Sequence, residues 1–314
     1  MSVAFIFPGQ GSQSVAMLSS LAHRPEVARL IQTADEVLGM PLGRLIADGP
    51  AEELSLTVNT QPAMLLAGLA CLAAWRVDGG PEPDYVAGHS LGEYTALVAA
   101  EAMDPAPAFG LVRLRAQAMQ EAVPVGVGAM AAILGLSDDQ VREACAQARR
   151  GPDGSVEVVA PANFNAPAQV VIAGHKAAVE RACNAARSLG AKRALPLPVS
   201  APFHSSLLEP AGERLRVALA GIDVRVPRIP LVNNVDVAVE SDPARIRDAL
   251  VRQAYGPVRW VEVVQALAER GVDRFVEFGP GKVLVGLVKR IAPQARTDSV
   301  HDAASLAQTL ESFK

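Results

Sequence analysis

The segment Gly88-His89-Ser90-Leu91-Gly92 sets a serine between two glycines, one two positions before it and one two positions after. It follows the strand-like run Asp84-Tyr85-Val86-Ala87 and leads into helix-forming residues from Leu91 to Ala100. A serine on a tight strand-to-helix turn projects its hydroxyl above a sheet, and small neighbours at those two positions avoid collision. The helix that follows points its first N–H groups at charge developing beside the serine. The chemistry this allows is attack by Ser90 Oγ on a carbonyl, with the Leu91 N–H as one oxyanion donor. The alternative is an ordinary glycine-flanked turn, against which the flanking strand and helix weigh.

A serine hydroxyl needs a base within hydrogen-bond reach. The chain has five histidines: His23, His89, His175, His204 and His301. Consecutive residues at a turn point apart, so His89 shapes the elbow. His23 and His175 sit at helix starts, and His301 lies in a polar tail. His204, in Ser200-Ala201-Pro202-Phe203-His204-Ser205, stands where the chain leaves a small domain and can face a cleft. The loop Pro8-Gly9-Gln10-Gly11-Ser12-Gln13 offers a second oxyanion donor, because glycines let backbone approach a ligand closely. A dinucleotide fingerprint fails there, since Ser14 stands where its third glycine is needed. Arg113 and Arg115 edge the apolar helix face formed by Phe109, Val112, Ala116 and Met119, and periodicity does not choose between them.

Elements that hold such residues in place are legible along the chain. Val3–Phe7 reads as a strand, with helices over 25–38, over 62–75 after the capping candidate Thr60, and over 105–121. Strands alternating with helices indicate a parallel α/β sheet. From Gly128 the order becomes β-α-β-β-α-β, that of a ferredoxin-like unit. Its strands are expected at 128–134, 156–160, 170–173 and 193–199, with Asn163–Pro167 as the central turn and a helix capped at Ser137-Asp138-Asp139. The expected fold class is α/β, a hydrolase-like parallel-sheet domain with an inserted ferredoxin-like α+β domain. The domains fall at 1–126 plus 200–314 and at 127–199. Beyond the insert, 229–233 and 274–278 read as strands with two helices between them, and a closing helix follows Gly281.

Composition narrows the function classes. The chain has 314 residues, half apolar and a fifth charged, with net charge −4. That balance lacks the dense basic stripe nucleic-acid binding needs. Apolar stretches read as broken before the roughly 18 residues of a membrane span, and no signal peptide is read at the N-terminus. Cys71, Cys145 and Cys183 have no metal-ligand spacing and read as buried reduced thiols of a cytoplasmic protein.

These motifs together resemble those of bacterial malonyl-CoA:acyl-carrier-protein transacylases. The resemblance runs from Phe5 to about Ile291 and rests on Phe7–Gln13, Gly88–Tyr94, Asn163-Phe164-Asn165, Pro198-Val199-Ser200 leading to His204, Val232–Val235 and Glu277–Gly281. It implies malonyl transfer from malonyl-CoA to acyl carrier protein for fatty-acid synthesis, by a monomer with no bound cofactor. It implies Ser90 as nucleophile, His204 as base and acid, and Arg115 as the partner of the malonyl carboxylate. Oxyanion donors are the N–H groups of Gln10 and Leu91, Gln253 orients His204, and Asn163 lies near the cleft. Phe203 is the residue that related enzymes favour when they take malonyl over methylmalonyl units. Ala16 departs from the family, many of whose members have glycine there. Because carrier proteins are acidic, Lys192, Arg193, Lys282, Lys289 and Arg290 are candidates for docking one.

Two other classes remain at this point. A hydrolase would need an acid between serine and histidine in chain order, where Asp138 and Asp139 fall but look like helix caps. A non-catalytic carrier-docking module would have no use for the Ser, His and Arg set.

Overall fold

A computed structural model describes residues 2–314. The first part of the chain forms β1 (Ser2–Phe7), α1 (Pro25–Leu38), α2 (Leu42–Asp48), α3 (Ala51–Leu54), α4 (Thr57–Val77), β2 (Tyr85–Gly88), α5 (Gly92–Ala99) and α6 (Pro105–Glu121). Next come β3 (Gly128–Leu134), α7 (Asp138–Ala148), β4 (Val159–Ala166), β5 (Gln169–His175), α8 (Lys176–Ser188) and β6 (Arg193–Pro196). The last part forms α9 (Glu209–Ala220), β7 (Leu231–Val232), α10 (Pro243–Tyr255), α11 (Trp260–Glu269), β8 (Val272–Phe278), α12 (Val283–Ile291), β9 (Arg296–Val300) and α13 (Ala303–Glu311).

Five strands make a parallel sheet in the order β7-β2-β1-β8-β9. Its central strand, β1, is apolar from Val3 to Phe7 and buried on both faces, as a strand covered by helices on each side must be. On one side Phe5 and Phe278 each pack edge-on against Trp75, with centroids 5.9 Å and 5.6 Å away, and tilt against each other at 4.5 Å.

The second sheet is antiparallel, in the order β4-β5-β3-β6. Strand periodicity splits its two faces. Ala131, Ile133, Val170 and Ile172 pack beneath α7 and α8, whereas Met130, Val171 and Ala173 join the core of the parallel-sheet part. The small sheet therefore presents one apolar face to the carboxyl edge of the large one.

Several sequence expectations shift. The proposed turn at Asn163–Pro167 is mostly strand, because β4 runs to Ala166 and the chain reverses at 167–168. Phe164 N–H bonds Val258 O at 2.9 Å and Val258 N–H bonds Ala162 O at 2.8 Å. Partners on both edges, with irregular register, hold turn-prone asparagines extended. The strand placed at 156–160 starts at Val159 instead. The strand at 193–199 stops at Pro196, and that at 229–233 shortens to two residues.

Thr60 is not a cap. Helix α4 begins at Thr57, and Thr60 Oγ1 donates to Leu54 O at 2.7 Å. At 21 residues and mean hydropathy 1.2, α4 is long and apolar enough to cross a membrane, contrary to the expectation from its interruptions. It is instead an interior helix, 89% of its most apolar stretch being buried. Helices α2, α3, α9 and α13 and strand β9 were not foreseen. His301 thus lies between β9 and α13, outside any tail. Ala16 has φ 63°, a left-handed backbone that costs a side-chain-bearing residue about 1 kcal/mol; glycine at this position avoids that cost.

Candidate active site

The turn after β2 shows why its glycines are required. A Cβ on Gly88 would lie 1.9 Å from the backbone of Gly92, and one on Gly92 would lie 2.0 Å from Phe7 O. Backbone atoms cannot yield to such contacts, so both positions must be glycine. Between them Ser90 sits at φ 53°. Its N–H donates to Asn234 Oδ1 at 2.7 Å, and Asn234 Nδ2 donates to Gly88 O at 2.7 Å. One asparagine after β7 thereby pins both ends of the strained turn.

Ser90 Oγ lies 2.7 Å from His204 Nε2, although 114 residues separate them. His204 also has left-handed backbone, φ 60°, and such strain gathers at functional sites. Its Nδ1 faces two main-chain carbonyls, Gln253 O at 2.9 Å and Gly256 O at 3.1 Å. Carbonyls only accept, so Nδ1 carries the hydrogen and Nε2 has a free lone pair toward the serine proton. Burial, and then the charge of Arg115, push the imidazole down to about 3. His204 is therefore neutral at pH 7. Asp138 and Asp139 lie in the first turn of α7, behind the Ser137 capping box, with Asp139 paired to Arg142. The position an acid would take in a hydrolase triad is held by carbonyls.

The structure separates the two arginines of α6. Pro62 lies inside α4 and leaves Val58 O without its usual i+4 donor. Arg113 Nη1 bonds that carbonyl at 3.0 Å and Asn59 Oδ1 at 2.8 Å. Arg113 repairs a helix. Arg115 is 1% exposed and donates to Gln61 Oε1 at 2.8 Å, Gln253 Oε1 at 2.9 Å and Ser90 Oγ at 3.1 Å. The Gln253 side chain makes no hydrogen bond to His204; its amide donates to Ser90 O at 2.8 Å and Glu93 Oε2 at 3.1 Å. Only its main-chain carbonyl orients the histidine.

A cavity of about 190 Å³ opens over Ser90. Gln10 and Leu91 line one side of it, and Met130, Val171 and Phe203 supply an apolar wall. Asn163 lines it from β4, together with Asn165, whose Oδ1 is 2.8 Å from His89 Nε2. His89 also packs edge-on against Trp260, with centroids 5.6 Å apart. Of the site residues expected from sequence, Gln10, His89, Ser90, Leu91, Arg115, Asn163, Phe203 and His204 line this cavity, whereas Gln253 lies behind Arg115. Away from the cavity, His175 Nδ1 accepts from Val158 N–H at 2.9 Å. Sequence reasoning gave no role to Gln61, Glu93, Asn165 or Asn234. Three of these stood inside quoted motifs, and Gln61 immediately precedes Pro62 with no signal of its own. Among the basic residues, Arg290 is engaged with Gln169 and with Pro167 O at 2.7 Å, near the sheet end that carries exposed Lys192 and Arg193.

The fold and this geometry define a class: α/β enzymes that display a nucleophilic serine at the carboxyl edge of a parallel sheet. The chain belongs to the acyl transferase domain family, whose model matches residues 4–309. It is 51% identical over 309 residues to the malonyl CoA-acyl carrier protein transacylase of Escherichia coli (strain K12), covering 98% of each chain. It superposes on the acyl-carrier-protein S-malonyltransferase of Burkholderia pseudomallei 1710b with TM-score 0.96 and 62% identity, over 99% of this chain and 100% of that one. A malonyl-transacylase solved in complex with a type II PKS acyl-carrier protein matches with TM-score 0.96 and 49% identity, over 99% and 100% of the two chains.

Proposed function

We propose that Ser90 carries a malonyl group from malonyl-CoA to the phosphopantetheine thiol of acyl carrier protein, with Arg115 as the group that recognises the acyl carboxylate. The enzyme is a malonyl-CoA:acyl-carrier-protein transacylase acting in fatty-acid synthesis. One observation carries the assignment of residues: Ser90 Oγ lies between a neutral imidazole at 2.7 Å and a buried guanidinium at 3.1 Å.

In the first half-reaction His204 Nε2 takes the Ser90 proton as Oγ attacks the malonyl thioester. The tetrahedral oxyanion is held by the N–H groups of Gln10 and Leu91, each typically worth about a hundred- to a thousandfold in rate. His204 then gives its proton to the departing CoA sulfur, leaving a malonyl ester on Ser90. The carrier thiol reverses these steps and restores the hydroxyl. Arg115 presents a charged group to the free carboxylate, which acetyl-CoA lacks; a site built on such a contact rejects the lacking analogue by roughly 10⁴–10⁵. A docked carboxylate offsets the Arg115 charge, the second cause after burial of the depressed His204, and so relieves only part of that depression.

The reading treats 127–199 as a small domain whose apolar face, with Met130 and Val171, closes over the α-carbon of the acyl group beside Phe203. It uses malonyl-CoA as donor with no resident cofactor, and it places the protein in the cytoplasm. The test is intact-protein mass spectrometry after brief mixing with malonyl-CoA, followed by addition of holo carrier protein. A malonyl adduct mapped to Ser90 that moves to the carrier is expected. Free malonate without carrier loading would make the protein a hydrolase.

A further inference from the structure

Arg115 is a buried cation whose hydrogen bonds all go to neutral acceptors, the oxygens of Gln61, Gln253 and Ser90, while its Nε has no partner. A charge in an interior without a counter-charge is strongly destabilising. The carboxylate that acts on it stands on the far side of Gln253. Glu93, 2% exposed, accepts from Gln253 Nε2 at 3.1 Å and from Asn234 N–H at 2.9 Å through the same oxygen.

The Gln253 amide is fixed between them in one sense. Its oxygen faces Arg115, and its nitrogen faces two acceptors, Ser90 O and Glu93 Oε2. Turned over, it would set oxygen against oxygen on one side and N–H against N–H on the other. Donors and acceptors therefore run one way, from guanidinium through amide to carboxylate.

We propose that Glu93 is a positioning residue for malonyl recognition: it supplies the counter-charge of Arg115 through the Gln253 amide, leaving the guanidinium free of direct carboxylate contact until the acyl carboxylate arrives. A carboxylate touching Arg115 directly would form a fork-like pair that substrate had to break. With no carboxylate at all, Arg115 would be an uncompensated buried cation. The intervening amide avoids both. Burial raises the Glu93 carboxyl to about 7 even with its hydrogen bonds from Gln253 and Asn234 and the Arg115 charge opposing the rise, so the counter-charge is present above that pH and the test is read at about pH 8.

This inference rests on the function proposed above. Its test is Glu93→Gln, in which the amide oxygen can keep both hydrogen bonds while the charge is lost. Malonyl- and acetyl-CoA labelling of Ser90 are compared, with thermal unfolding before and after malonylation. The free variant should melt several degrees below wild type and recover most of that loss on malonylation, because the acyl carboxylate supplies the missing counter-charge. Half-saturation by malonyl-CoA should fall about tenfold, the order expected for unit charges one amide apart at an effective dielectric near 20.

A merely structural glutamate would lower the melting point equally with and without the malonyl group and leave half-saturation unchanged; that result overturns the proposal. If Glu93→Gln does not fold, Gln253→Glu decides. It places a carboxylate directly on Arg115 and should cut malonyl labelling at least a hundredfold relative to acetyl. Retained malonyl preference in Gln253→Glu would equally reject the idea. Wild-type labelling in the same series separates the two levels: if Ser90 takes no malonyl group in wild type, the underlying function fails, not only the role of Glu93.

Discussion

Strands β2 and β8 flank β1 in the parallel sheet, and each ends in a glycine-rich turn that feeds a helix. Each end buries one glutamate. Burial pushes both Glu93 and Glu277 up to about 7. Their surroundings differ entirely. Glu277 faces the start of α12, where Oε2 accepts from Val285 N–H at 2.8 Å while Oε1 has no partner. It is a carboxyl set against the N–H groups of a helix N-terminus. Glu93 faces a donor network that ends on Arg115 and Ser90. Burial thus raises both carboxyls, but only one of them connects to the serine. What separates a reacting end from a structural one is whether the buried charge connects to a nucleophile.

The sharpest break between the two ends is Ser90→Ala, which should abolish the malonyl-enzyme adduct in mass spectra, whereas Glu277→Gln should still form it. An adduct persisting in Ser90→Ala would move the chemistry elsewhere. Next in size is Arg115→Ala. By removing the polar contact, it should erode malonyl-over-acetyl discrimination by up to roughly 10⁴-fold, measured as the ratio of labelling rates; an unchanged ratio would detach Arg115 from the substrate.

A smaller effect concerns pH. His204 stays neutral well below the ordinary histidine range, so malonylation should show no decline on passing below about pH 6.5, the midpoint of an unperturbed imidazole. An acid limb centred there would contradict the buried, Arg115-facing setting of the ring. Stability carries the matching sign. Unfolding frees His204 to bind a proton, so its contribution is full above about 6.5 and declines as pH falls toward about 3.

The smallest effect belongs to the structural end. Glu277 holds its proton more tightly folded than unfolded, so its contribution is present below its ordinary value of 4.5 and is lost as pH rises through about 7. Glu277→Gln should therefore flatten the fall in stability between pH 5 and 8 by about 1–3 kcal/mol in denaturant melts. An unaltered pH profile would mean that the carboxyl is not proton-linked to folding.

The elbow was legible because its requirement is local. Two glycines, a strand before and a helix after are all within ten residues, and the clashes at Gly88 and Gly92 are backbone contacts that any side chain would make. The ferredoxin-like order was legible for the same reason, since strand and helix periodicities lie in short windows. The asparagine-rich strand β4 was misread because its extended form depends on Val258, almost a hundred residues away. Turn propensity yielded there to a partner that no window contains.

By itself, then, the sequence determined the strained turn, the alternation of elements and, through its assembled motifs, the family, and singled out Ser90, His204 and Arg115 as its candidate site residues. Tertiary structure alone decided what each polar group faces. It gave Arg113 to the carbonyl that Pro62 leaves open, set main-chain carbonyls behind His204, and turned Gln253 toward Arg115 and Glu93. The physical reason is range. Periodicity and steric limits act between neighbours in the chain, whereas desolvation and hydrogen-bond partnership depend on segments that only folding brings together.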